Sequence, residues 1–113
     1  MRVESLVVGP FQENCWLLQD EAAGDVVLVD PGDEPARILS AVARMGGRLA
    51  AIWLTHAHLD HIGAIAGIRR AHPGVPVHLH PADLPVYRYA ERSARAYGLP
   101  FEQPADPEHA LAE

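Results

Sequence analysis

The chain is expected to adopt an α/β fold (α+β in some schemes), and three observations point there. Short apolar runs bounded by glycine, proline or acidic residues read as strands. Between them, apolar residues recur at three- and four-residue spacing, as on one face of a helix. The 113 residues, 49% of them hydrophobic, suit one small globular domain.

Val3 to Val8 reads as a first strand, broken by Gly9 and Pro10, and Asn14 to Gln19 as a second, followed by a polar turn around Gly24. Val26 to Val29 is a short apolar run ending at Asp30, as a buried strand would. Asp33 can cap a helix in which Ile38, Leu39, Val42 and Met45 repeat at helical spacing, stopped by Gly46 and Gly47. Ala51 to Leu54 forms the next strand. A second helix starts at Asp60 or His61, buries Ile62, Ile65 and Ile68, and ends by Pro73 and Gly74. Val75 to His80 is a further strand. The spacing of Leu84, Tyr87, Ala90, Ala94 and Tyr97 predicts a last helix over 83–97, capped by Gly98. Its tyrosines read as core more readily than as substrate contacts.

The chemistry concentrates between the fourth strand and the second helix, where Thr55, His56, Ala57, His58, Leu59, Asp60 and His61 follow one another. Imidazole nitrogens and a carboxylate oxygen are ligands that zinc, iron and manganese accept. A solvated, histidine-rich turn is the plain alternative, and three histidines with an aspartate so close after a strand disfavour it. His56 and His58, two apart, can point to one side, whereas the adjacent Asp60 and His61 must diverge. One pair facing one metal and the other facing a second, roughly 3.5–4 Å away, fits the pattern of two-metal hydrolases. The cluster also sits at the carboxyl end of its strand, where open α/β sheets bind ligands.

Thr55 to His61 resembles the Thr-His-x-His-x-Asp-His motif of the metallo-β-lactamase superfamily at every specified position. Val29, Asp30, Pro31 and Gly32 are similar to its Asp-Pro-Gly turn. Phe11, Glu13, Asn14 and Cys15 resemble the Phe-x-x-Asn-Cys segment of hydroxyacylglutathione hydrolases, the second glyoxalase enzymes. The resemblance implies an N-terminal αβ half of a four-layer αβ/βα sandwich. It implies that His56 and His58 bind a first metal and Asp60 and His61 a second, with zinc expected, two ions in a complete site, and iron or manganese possible. Asp30, Thr55 and His80 are the expected supporting residues, although an aspartate before Pro-Gly is also a common turn residue. The implied reaction is thioester hydrolysis by a metal-activated hydroxide, which Asp60 would orient as the catalytic residue.

The later part of the motif set is absent: no Gly-His-x-x-Gly segment, bridging aspartate or final histidine follows, and His109 sits in an unrelated setting. The resembled fold needs about 200 residues. The expectation is therefore a partial domain, with 1–104 as the αβ half and 105–113 as a truncated linker toward a missing second half. Self-association or a complementing second half are the expected protein partners.

Other classes are set aside by composition. No lysine occurs, which removes lysine-nucleophile chemistry; Ser5, Ser40 and Ser93 lie in no nucleophile elbow. A formal charge of −6 without a basic stripe argues against nucleic acid. No apolar run approaches membrane-spanning length and no secretory leader is evident, so a cytoplasmic location is expected. Cys15 reads as a buried structural thiol. The substrate is expected to be a small ester or thioester. The alternatives are a mononuclear iron dioxygenase acting on a persulfide, and a catalytically incomplete fragment or binding module.

Overall fold

The computed structural model describes residues 1–55, 62–79, 81–96, 98, 101–105, 107 and 109–110. Strands β1 (Arg2–Val8), β2 (Glu13–Gln19) and β3 (Asp25–Val29) form an antiparallel meander. Helix α1 (Pro35–Arg44) then carries the chain to β4 (Arg48–Trp53), which lies parallel to β3. Helix α2 (Ile65–Ala71) leads to β5 (Val77–Leu79), and a 3-10 turn at Pro81–Asp83 with helix α3 (Leu84–Ala96) leads to β6 (His109–Ala110). The six strands lie in sequence order across one mixed sheet, confirming the α/β expectation.

Right-handed crossovers running in one direction along a sheet put their helices on the same face. The burial pattern agrees. Cys15 and Leu17 of β2, Val26 and Leu28 of β3, and Ile52 of β4 join Ile38, Val42, Ile62, Ile65, Ile68 and Tyr87 in one core. α1 and α2 cross closely enough that a Cβ on Gly67 would meet the Pro35 ring at 2.7 Å, so only glycine fits there. The opposite face is different. Val3, Val7, Trp16 and Trp53 project from alternate positions of β1, β2 and β4 and are all exposed.

Two details depart from the sequence reading. Asp33 does not cap α1. Its carboxylate accepts the Glu34 N–H at 2.8 Å, and Glu34 takes the cap position with φ 57° while its own carboxylate accepts the Gly9 N–H. His109–Ala110, expected in a linker, pair with β5; a two-residue strand among proline and acid carries no periodicity to read. The core reading of the α3 tyrosines holds for Tyr87, which is fully buried with its hydroxyl donating to the Ala105 carbonyl, while Tyr89, off that spacing, is exposed. Tyr97 lies outside the described residues.

Candidate metal centre

Parallel strands β3 and β4 end side by side, and their carboxyl ends are joined by one residue. Asp30 follows β3 directly and adopts φ 56°, a left-handed conformation that aspartate tolerates better than most side chains. Its N–H donates to the Trp53 carbonyl at 3.0 Å, continuing the β3–β4 ladder one step. The turned backbone leaves the carboxylate buried and directed at the residue after β4. Oδ1 accepts the Thr55 N–H at 2.8 Å and Oδ2 accepts the Thr55 hydroxyl at 2.5 Å. A carboxylate that accepts both donors of one residue fixes that residue's backbone and rotamer together.

The other side of the same turn acts on the far end of the run. The Pro31 carbonyl accepts the Ala64 N–H at 3.0 Å. Residues 56–61 therefore leave from Thr55 and return to Ile62–Ala64 with both flanks bonded to the Asp30–Pro31 turn. Ile62 and Ala64 are completely buried and Leu54 nearly so, so the flanks are also held by core packing.

The expected ligands His56, His58, Asp60 and His61, and the supporting His80, lie outside the described residues. The structure brings Asp30 and Thr55 together, and among the described residues no group of three His, Cys, Asp or Glu converges. The fit to a metal thus rests on the donor set, three imidazoles and a carboxylate, and on the bonding that closes the run. Both suit a divalent ion. His78, two residues before His80, is half-buried and pairs beside Trp53 across β4 and β5.

A further residue at this end escaped the sequence reading. Glu13 opens β2, is 8% exposed, and has both carboxylate oxygens sealed from solvent. Its only trace in the sequence is its place in the Phe-x-x-Asn-Cys segment. Nearby Cys15 is fully buried, and its thiol is pushed up from 9.0 to about 12 by burial first, then by the charges of Glu13 and Asp30. It is a structural thiol, as expected, and remains protonated at neutral pH.

Residues 8–111 match the metallo-beta-lactamase superfamily. The chain belongs to that superfamily. Hydroxyacylglutathione hydrolase GloC of Haemophilus influenzae is 32% identical over 101 residues, covering 88% of this chain and 47% of that protein. The crystal structure of TTHA1623 in a di-iron-bound form superposes with a TM-score of 0.87 at 44% identity, over 97% of this chain and 54% of that one. ETHE1 from Myxococcus xanthus superposes at 0.62 with 30% identity, over 69% of this chain and 35% of that one. This superfamily member therefore spans about half the length of the relatives it matches, or less. No helix among the described residues is long and apolar enough to cross a membrane.

Proposed function

We propose that this chain is the ligand-bearing half of a metal-dependent hydrolase acting on ester or thioester bonds, with hydroxyacylglutathione-like thioesters the favoured substrates. The observation that carries the reading is the Asp30–Pro31 turn bonded to both flanks of the histidine run. A run closed in this way is built for coordination, and loops that serve only as connections do not need it. The likeness to proteins named hydroxyacylglutathione hydrolases supports the substrate class.

In this reading His56, His58, Asp60 and His61 hold the metal, zinc foremost, with iron supported by the di-iron relative. A metal held there supplies Lewis acidity, polarising a carbonyl and lowering the pKa of water. The chain's own residues do the rest. Asp30 fixes Thr55, the residue from which the run departs; Asp60 would accept a hydrogen bond that orients the attacking hydroxide; core packing of Ile62 and Leu54 keeps both flanks in place. Cytoplasmic location and a small-molecule substrate are part of the same proposal.

The exposed apolar face is the surface for a complementing second half. Two sheets stacked face to face would bury Trp16, Trp53, Val3 and Val7, which in water forfeit apolar burial at about 25 cal/mol per Å². The test is metal uptake and turnover together. Dialysed against zinc or iron, the chain should retain metal that His58→Ala releases, and thioester hydrolysis in any complemented form should vanish with Asp60→Ala. A chain that takes up no metal overturns the reading. Oxygen uptake with one iron per chain would instead favour the dioxygenase alternative.

A further inference from the structure

The open face of the sheet carries a continuous apolar band. Ser5, Trp16, Val29 and Trp53 stand opposite one another across β1 to β4, and Val3, Leu18 and Val27 form the row beside them. Trp16 and Trp53 are 41% and 42% exposed and Val3 is 52% exposed, so the band meets water over much of its surface. Neither row holds an acidic or basic side chain. Asp25 and Arg48 close the amino margin as an ion pair.

That neutrality selects the body that can cover the band. A twofold contact sets one patch against a copy of itself, so a charge near its centre meets its own kind. A chain of formal charge −6 repels its own copies at long range, and the band is a place where two of them meet without opposed charges. Two identical sheets share one twist, which lets them stack with their strands about 30° apart and their helices outside. Size agrees. This chain covers 47% of one relative and 54% of another, so each carries about one further chain's length beyond the match. A second copy is a body of that length.

Area sets the strength of the contact. Strands β1 to β5, about 4.8 Å apart and about five residues deep, present roughly 400 Å² in projection, so two copies face to face remove on the order of 1,000 Å² from water once side-chain relief is included. That is the low end of specific interfaces and fits a dimer that dissociates in the micromolar range.

We propose that a second copy of this chain covers the open face, sheet against sheet about a twofold axis, with Trp16 and Trp53 at the centre of the contact. That copy is the complementing half of the proposed function, and this rests on that reading only in taking the face as a docking surface.

Trp16 and Trp53 are the chain's two tryptophans, so their fluorescence reports on this face alone. Sedimentation of the metal-free chain should show a dimer at about 100 µM that dissociates on dilution toward about 1 µM. Over the same concentrations, association should shift tryptophan emission to the blue and reduce quenching by acrylamide. Trp16→Thr, which keeps a strand-forming residue, should weaken association about tenfold or more and leave Trp53 open to quencher at every concentration. Val3→Lys, on the edge strand of the same face, serves if that variant does not fold. A wild-type chain that stays monomeric at about 100 µM overturns the proposal. So does a dimer that both variants leave intact, a dimer whose tryptophans stay open to quencher, or a mass that grows without limit, since a twofold contact closes at two. The metal reading fails separately: a dimer that takes up no zinc defeats the hydrolase and spares this inference, whereas a monomer that retains zinc defeats this inference alone.

Discussion

The two ends of the sheet are built from the same strands and solved in opposite ways. At the amino end of β3 and β4, polar groups are satisfied locally. The Gln19 amide donates to the Gly24 and Met45 carbonyls at 3.3 and 3.1 Å, and Arg48 reaches Asp25 with two nitrogens at 3.1–3.3 Å. Gly47 packs so tightly there that a Cβ would lie 2.5 Å from the Gly24 carbonyl oxygen. At the carboxyl end, Asp30 holds a left-handed backbone and Glu13 keeps a carboxylate out of water. One end serves the fold. The other holds a left-handed aspartate and buried carboxylates, features that cluster at functional sites.

Asp30→Ala should produce the largest effect and break both sides of this contrast at once. It removes two charge-assisted bonds to Thr55, each worth about 1.5–3 kcal/mol, and puts alanine at a left-handed position. Urea unfolding of the metal-free chain should show a loss of about 3–5 kcal/mol, and zinc affinity should fall by about 10- to 100-fold. Asp30→Asn keeps an acceptor and tolerates the backbone, so it should retain most of the stability. Equal metal affinity in both variants and wild type would mean that the turn anchors the fold and nothing more.

The counterpart at the amino end is Gln19→Leu. It leaves the Met45 carbonyl without its buried donor, at about 1–3 kcal/mol. Its zinc affinity should match wild type, since the Gln19 bonds to the Gly24 and Met45 carbonyls lie at the opposite end of the sheet from Asp30 and Thr55. A change in metal binding here would erase the division of labour between the two ends.

Alkaline pH probes the buried charge from within the carboxyl end. The Cys15 thiol ionises near 9.0 in the unfolded chain but stays protonated to about 12 when folded. The unfolded state therefore releases its proton first as pH rises, and this contribution to folding stability, fully present below pH 9, is lost between pH 9 and 12. The slope from this group should approach about 1.4 kcal/mol per unit. Denaturant midpoints compared with those of Cys15→Ala, in which that slope disappears, isolate the effect from other titrations.

How much of this was legible in the sequence follows from the range over which each signal acts. Ile38 and Val42, and Ile62, Ile65 and Ile68, advertise their helix faces through spacing alone, and the core contains all five. The histidine run is equally local, because its seven residues carry their own chemistry. Asp30 could be read either as a turn residue or as a support, since its bond to Thr55 spans 25 positions and exists only once β3 and β4 are parallel. Glu13 was illegible as a buried group, for a polar residue at a strand's start looks solvated until the register of β2 against β3 is known. The open face hid for the opposite reason: strands apolar on both sides, as Trp16 and Val29 make theirs, read as covered on both sides.

Arg48→Ala should give the smallest effect, and its size tests whether the amino end is as ordinary as it looks. The guanidinium makes a forked contact with Asp25, which on geometry alone resembles the stronger class of ion pair. Its side chain is nevertheless 79% exposed, so water screens the attraction and ordering the side chain offsets much of it. The expected loss is about 0.2–1 kcal/mol by urea unfolding, shrinking further in 1 M salt. A loss above about 2 kcal/mol, undiminished by salt, would mean that the fork braces the β3–β4 register itself. The strain at Asp30 would then be held in part from the opposite end of the sheet, because Asp25 and Arg48 are the first paired residues of the ladder that ends at Val29 and Trp53.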